Sequence, residues 1–275
     1  MAMSLGIGIG LPFGGGPSSG PSYDPDAAAF FARMATDPGA TRKGLYNDLF
    51  LALKTGAVSG ANIYAKLDAV WLIAAHEQST AILNLKGTSY TLIPSGTMGT
   101  TPPDFTVDLG YLGDGVGKWL DTGIADNAGG INWSRDSMMM GAWVNNNIAG
   151  GGNSFGLAAN ANVRIQPNSG GTQSGRAHTS TSVSLAGAPT RQGFVAVNRS
   201  GASAQELYRA GASIATSGAS SVAPAASNLS LLLSNTTVWS QDRIAAAVVG
   251  GSLTANEHLD LYNALNAYLT AIGGA

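Results

Sequence analysis

Three histidines (His76, His178 and His258) and three glutamates (Glu77, Glu206 and Glu257) are the scarcest acid–base groups of this chain, which contains no cysteine. Without cysteine there are no disulfides, thiolate nucleophiles, thiolate zinc sites or iron–sulfur clusters. A three-histidine metal site would consume every histidine, and no metal or other cofactor is expected. Retaining hydrolysis of a glycoside needs two carboxylates about 5–5.5 Å apart, commonly presented from one strand. The three glutamates cannot make an E-x-D-x-x-E strand, and Glu257 is taken up by a helix cap. Spacing alone leaves an Asp114–Asp121 pair open, but Asp114 lies in Gly113-Asp114-Gly115, which reads as a turn.

Gly152-Asn153-Ser154-Phe155-Gly156 fits G-x-S-x-G, with Asp242 and His258 following in the chain order of an α/β-hydrolase triad. A nucleophile elbow needs a parallel strand before it and a helix after it. Here the flanks, 148–151 and 157–160, suit a hairpin turn, and His258 falls inside a capped helix, so no catalytic set is expected. The same glycines make no phosphate cradle, because no GK[ST] follows them. Four N-x-[ST] triplets, at Asn132, Asn198, Asn228 and Asn235, carry no meaning without a secretory signal.

Sugar binding asks for less: planar amides, hydroxyls and an aromatic face on which a pyranose can stack. Trp133, Asn145, Asn146, Asn147, Asn153 and Arg164 lie in or beside loops that could form one rim of a folded domain, and they are the candidate ligand-binding residues. Trp143, within an apolar run, reads as core.

The elements that position them follow from composition and period. Of 275 residues, 14 are Lys or Arg and 16 Asp or Glu; the charged fraction is 11% and the formal net charge −2. An ordinary domain is about 25% charged. With 44% hydrophobic residues the chain can still bury a core, which excludes disorder by charge excess. There is no basic field for a phosphate backbone, so nucleic acid is not an expected partner. No run of about 18 apolar residues offers a membrane span. No Lys or Arg precedes Arg33, so the charged start of a secretory signal is missing, and synthesis and folding in a cytoplasm are expected. A weakly charged surface is poorly defended against association, which suits a subunit of a homo-oligomer.

Residues 1–22 form a Gly-rich arm. Leu5, Ile7, Ile9 and Leu11 alternate with glycines, Phe13 follows, and Pro12 to Pro21 read as a linker. A period of two with one bare face fits strand addition to a partner chain. Residues 23–68 read as a helical neck. Asp24 and Pro25 open a short helix through Phe30, Phe31 and Met34, and a second helix from about Thr41 carries the stripe Leu45, Tyr46, Leu49, Phe50 and Leu53, ending at Gly56. A third short helical stretch, Ile63 to Asp68, runs into the apolar segment Ala69–Ala75. Residues 69–275 read as mainly β. Runs at Tyr90–Ile93, Trp119–Leu120, Met138–Val144, Phe155–Leu157, Val163–Ile165, Phe194–Val197, Leu229–Leu233 and Ile244–Val249 are separated by Gly, Asn, Ser and Pro, the spacing of an antiparallel sandwich. Thr254-Ala255-Asn256-Glu257 is a capping box that opens a C-terminal helix with Leu261, Tyr262, Leu265, Tyr268, Leu269 and Ile272 on one face.

This order of elements, with Tyr64-Ala65-Lys66-Leu67-Asp68-Ala69-Val70-Trp71, Leu83-Asn84-Leu85, Phe105 to Tyr111, Gly113-Asp114-Gly115, Leu120-Asp121-Thr122-Gly123, Val197-Asn198-Arg199-Ser200 and the ending from Gly251-Ser252-Leu253-Thr254, resembles the laminin-G/concanavalin A-like modules of bacteriophage virion proteins. The likeness covers about residues 60–275. It implies a concanavalin A-like antiparallel β-sandwich, or jelly roll, with an N-terminal helical segment and a C-terminal capping helix. It also implies a place in the virion, as a tail- or fibre-associated adhesin for host-surface polysaccharide, docked on other virion subunits through its arm. The alternatives are a head-decoration or tail-tip protein that binds no sugar and, last, a glycan hydrolase. Related lectin folds hold a calcium ion between Asp and Asn side chains, and no ligand string marks one here.

Overall fold

Alternating and helical patterns in the sequence become two stacked sheets with helices laid on one outer face. The computed structural model describes residues 22–96, 102–128, 131–148, 152–188 and 190–275; the expected docking residues Leu5, Ile7, Ile9, Leu11 and Phe13 lie outside the described residues. Helices α1 (Pro25–Phe31) and α2 (Gly39–Thr55) come first, then a single 3-10 turn at Ile63–Lys66 and strand β1 (Leu67–Leu72). After α3 (Gln78–Ala81) the chain enters β2 (Ile93–Gly96), β3 (Asp104–Thr106), β4 (Gly110–Leu112) and β5 (Lys118–Ala125). Next come β6 (Met138–Val144), β7 (Phe155–Leu157) and the meander β8 (Arg164–Ser169), β9 (Thr172–Arg176) and β10 (Val183–Ala186). A second meander runs through β11 (Gly193–Gly201), β12 (Ala204–Arg209) and β13 (Ala212–Ser217). The last elements are β14 (Asn228–Leu231), the small hairpin β15 (Leu233–Ser234) and β16 (Val238–Trp239), β17 (Arg243–Gly250) and α4 (Ala255–Ile272).

The first sheet has eight strands in the order β13-β12-β11-β6-β17-β4-β3, with β1 also paired to β17; the second has seven, β10-β9-β8-β7-β14-β5-β2. Pairing is antiparallel, as the short polar turns between apolar runs require. At the centre of the first sheet β6 lies between β11 and β17, with Met140 opposite both Val197 and Val249. It is buried along its whole length, which is why it reads as a continuous apolar run and not as an alternation. Met138, Met140, Ala142 and Val144 face the core between the sheets, together with Trp71, Leu120, Phe155, Ile165 and Leu231. Met139 and Trp143 face the other way.

On that other side is a second core. Phe30 of α1, Leu49, Phe50 and Leu53 of α2, and Leu261, Leu265 and Leu269 of α4 pack on Val70, Leu72, Phe194, Ala246 and Val248 of the first sheet. The segment 23–68 is therefore not a neck. Its helices are a layer of the domain, because the stripe on α2 finds its apolar partner in the back of the sheet and in α4, where the tilted rings of Tyr46 and Tyr268 meet with centroids 5.0 Å apart. Strand β1 also begins inside the expected neck, at Leu67.

Local signals hold at the helix ends. The Asp24 carboxylate accepts from the Asp26 amide at 2.9 Å with Pro25 in the first turn, and Gly56 closes α2 at φ 55°. Thr254 Oγ1 accepts from the Glu257 amide at 3.4 Å while Glu257 Oε2 accepts from the Thr254 amide at 2.8 Å. The run Tyr90–Ile93 departs from expectation and is a strand only from Ile93. Tyr90 turns at φ 60°, and its carbonyl accepts from Trp71 Nε1 at 2.8 Å. Among the described residues no helix is long and apolar enough to cross a membrane.

Candidate functional site

The G-x-S-x-G serine does not meet a histidine. Ser154 Oγ donates to Asp242 Oδ2, and Ser240 Oγ donates to the same oxygen at 2.7 Å. The Arg191 guanidinium closes on Asp242 in a fork, Nε to Oδ1 and Nη2 to Oδ2, each at 2.7 Å. Arg191 also donates to the carbonyls of Gly152 and Asn168. Ser154, Arg191 and Asp242 are all buried, and His258 lies in α4 on the far side of the first sheet. Asp242 is thus the anchor that ties together the loops at one end of the sandwich, a bidentate charge-assisted pair with its remaining acceptor capacity used.

Beside this anchor is a pocket of about 380 Å³ lined by Leu112, Asp114, Asn146, Ile148, Gln241 and Arg243. Asn146 Oδ1 accepts from the Arg243 amide at 2.6 Å and its Nδ2 donates to the Gln241 carbonyl at 3.1 Å, so the amide clamps the entry to β17. Neighbouring Asn145 donates to the Leu109 carbonyl at 2.6 Å. Asp114 Oδ1 accepts from the amides of Val116, Gly117 and Lys118 at 2.9, 2.9 and 3.0 Å, which is the turn expected of Gly-Asp-Gly. Burial pushes the Asp114 carboxyl up, but the three amides outweigh it and hold it below the usual carboxylate range. Gly113 admits no side chain, since a Cβ would stand 2.0 Å from the Ser240 carbonyl oxygen. The Arg243 guanidinium makes no ion pair among the described residues, and its Nη1 is buried with no acceptor.

The lining comprises two amides, a turn carboxylate, a guanidinium and two aliphatic side chains, with Asn146, Gln241 and Asp114 already hydrogen-bonded to backbone. It offers no nucleophile with a base and no facing carboxylate pair, and no cluster of three metal-ligating side chains occurs among the described residues. Groups of these kinds can hydrogen-bond to a polar ligand.

The expected site residues divide. Asn145, Asn146, Asn147 and Asn153 gather at this end of the sandwich, where Asn147 Oδ1 accepts from the Arg191 amide at 3.0 Å. Only Asn146 lines the pocket. Asn153 is buried, and its Oδ1 accepts from Arg164 Nη1 at 3.1 Å, which carries Arg164 onto the outside of the second sheet. Trp133 is a correction. It precedes β6 whereas Asn145 follows it, and seven strand residues place them roughly 20 Å apart. It is also 1% exposed: its Nε1 donates to the Asp126 carbonyl at 3.1 Å, and its ring meets that of His178 edge-on at 5.3 Å. A sugar cannot stack on it. His178 Nε2 is 2.6 Å from Asp126 Oδ1 and Nδ1 is 2.9 Å from the Arg135 carbonyl, a closed cluster with no hydroxyl to activate.

Gln241 and Arg243 were not expected. The one signal for them is the polar stretch Ser240-Gln241-Asp242-Arg243 between apolar runs; because β17 pairs antiparallel with β6, it falls beside Asn145–Asn147.

No protein-family model matches the chain, and no curated protein sequence matches it. Similar solved structures do exist. Trypanosoma rangeli sialidase in complex with sialic acid is 11% identical, with a TM-score of 0.52 over 72% of this chain and 33% of that one. The botulinum neurotoxin serotype D binding domain is 7% identical, with a TM-score of 0.50 over 72% of this chain and 52% of that one. The chain thus spans about a third to a half of the length of these structures. At such identities the likeness is one of fold alone, an antiparallel β-sandwich.

Proposed function

We propose that this chain is a non-enzymatic, carbohydrate-binding β-sandwich module, and that it serves as a virion-associated adhesin for host-surface polysaccharide. The observation that carries the binding half is the pocket at Arg243, where a guanidinium that makes no ion pair among the described residues shares the lining with Asn146 and Gln241, next in the chain to the Asp242 that Arg191 holds. Preorganised donors and acceptors of this kind suit a hydroxyl-rich ligand, because little is lost in ordering them. The sandwich fold agrees with the reading. The virion half rests on the motifs from Tyr64 to Trp71, Phe105 to Tyr111 and Gly251 to Thr254, which resemble those of phage modules. In it, the arm residues Leu5 to Phe13 dock on other virion subunits, and copies of the chain act together as a homo-oligomer.

The test is binding of the full chain to host cells and to their isolated surface polysaccharide. Saturable binding that free sugar competes for, and that Arg243→Ala weakens about tenfold, corresponding to one lost charge-assisted hydrogen bond, is expected. If the chain ignores cells and sugar but attaches to particles lacking it, the protein is a decoration subunit and the adhesin reading fails.

A further inference from the structure

On the face of the second sheet turned away from the core, β8 and β9 hold a pair of cations with no ion-pair partner among the described residues. Ile165, Gly175 and Val183 of β8, β9 and β10 point to the core, so Arg164, Arg176 and Ser182 stand on the opposite face. Arg164 and Arg176 are direct cross-strand partners, a position in which like charges repel. Both donate to one oxygen: Arg164 Nη2 is 3.1 Å and Arg176 Nε 3.0 Å from Ser182 Oγ. Each fork is also held by a second acceptor, Arg164 by Asn153 Oδ1 at 3.1 Å and Arg176 by the Ala161 carbonyl at 3.2 Å. Neither makes an ion pair among the described residues, and Arg164 Nε is buried without an acceptor. Burial, and then the charge of Arg176, both push the Arg164 guanidinium below its ordinary value. No Asp or Glu lies between Asp136 and Glu206, the stretch that contains β8, β9 and β10.

Two guanidinium groups fixed side by side present the geometry that binds an oxyanion through several charge-assisted hydrogen bonds. We infer that this face binds the anionic groups of an acidic polysaccharide, one carboxylate or sulfate seated between Arg164 and Arg176. The polymer rests on the glycan reading above, whereas the oxyanion rests on the arginine pair itself.

The experiment titrates the full chain with polygalacturonate, dextran sulfate and unmodified dextran. At least one acidic polymer is expected to bind about tenfold more tightly than dextran, the two arms telling carboxylate from sulfate, and high salt weakens that preference. Arg176→Gln abolishes it. Because that substitution also removes the bond to Ala161, Gln166→Glu is its companion. Gln166 Oε1 accepts from Ser174 Oγ at 3.2 Å, a contact glutamate keeps, while the new charge on the same face offsets one of the pair's two positive charges. Its unfolding temperature stays native and its acidic-polymer affinity falls by a similar factor. Equal affinity for acidic and neutral polymers, or acidic binding unchanged in both variants, overturns the inference. If no polysaccharide binds at all, inorganic sulfate separates the two readings. A rise in unfolding temperature with sulfate that Gln166→Glu removes keeps the oxyanion site and overturns the polysaccharide as its carrier; no such rise overturns both.

Discussion

His258 lies wholly buried in α4 with its ring stacked on Tyr208 at 3.7 Å between centroids, and neither ring nitrogen has a partner. Burial without an acceptor disfavours the imidazolium and pushes the pKa down to about 3. The unfolded chain, near 6.5, binds the proton first, so stability is fully present above about pH 6.5 and is lost as pH falls from there toward 3, by about 1.4 kcal/mol per pH unit. His258→Phe keeps the stack and removes the titration. Urea unfolding at neutral and acid pH should therefore show the native protein losing more stability than the variant between those conditions. Parallel losses in the two proteins would place the acid sensitivity elsewhere. The same reasoning bears on function, since a histidine that is neutral, buried and remote from Ser154 and Asp242 cannot serve as their base.

Elements carry a second prediction and most of what the sequence disclosed. The capping box of α4 satisfies amides of the first turn from within three residues, so Thr254→Ala should cost about 1 kcal/mol of stability, read as a lower urea midpoint with an unchanged slope. Signals of that range were legible: the Asp24–Pro25 start of α1, the Gly56 end of α2, and the full span of β6 and of β7. What was not legible depends on residues far along the chain. Trp133 reads from its neighbours as a loop aromatic, but it packs into the sandwich core, its Nε1 donating to the Asp126 carbonyl and its ring meeting His178 edge-on. Tyr90 leaves its expected strand because Trp71 draws on its carbonyl. Gln241 and Arg243 become pocket residues through the pairing of β17 with β6, which no local spacing announces. The stripe on α2 was read correctly as a buried face, but amphipathicity names a side and not the surface that covers it.

Across the whole molecule the decisive feature is that one sheet serves two cores. β6 sends Met138, Met140 and Ala142 into the sandwich and Met139 and Trp143 into the helical layer. Removing α1 and α2 would bare Val70, Leu72, Ala245 and Tyr268 and delete the buried side chains of Phe30, Leu49, Phe50 and Leu53, each contributing about 1.5–3 kcal/mol when fully buried. Losses of that size, about 6–12 kcal/mol together, are comparable to the whole margin of about 5–15 kcal/mol by which domains are stable. A chain begun at residue 60, the boundary suggested by where the sequence resemblance starts, should therefore aggregate or stay compact without fixed packing, with weak near-UV dichroism and strong dye binding. A chain begun at residue 22 retains both cores and should unfold cooperatively at the temperature of the full protein. Cooperative, full-strength unfolding of the 60–275 protein would instead mean that the helices are a detachable neck. The difference governs how adhesion can be tested. If the helical layer is integral, loss of cell binding in a protein cut at residue 60 reports a collapsed sandwich, and only a cut at residue 22 can separate docking by the arm from recognition by the rim.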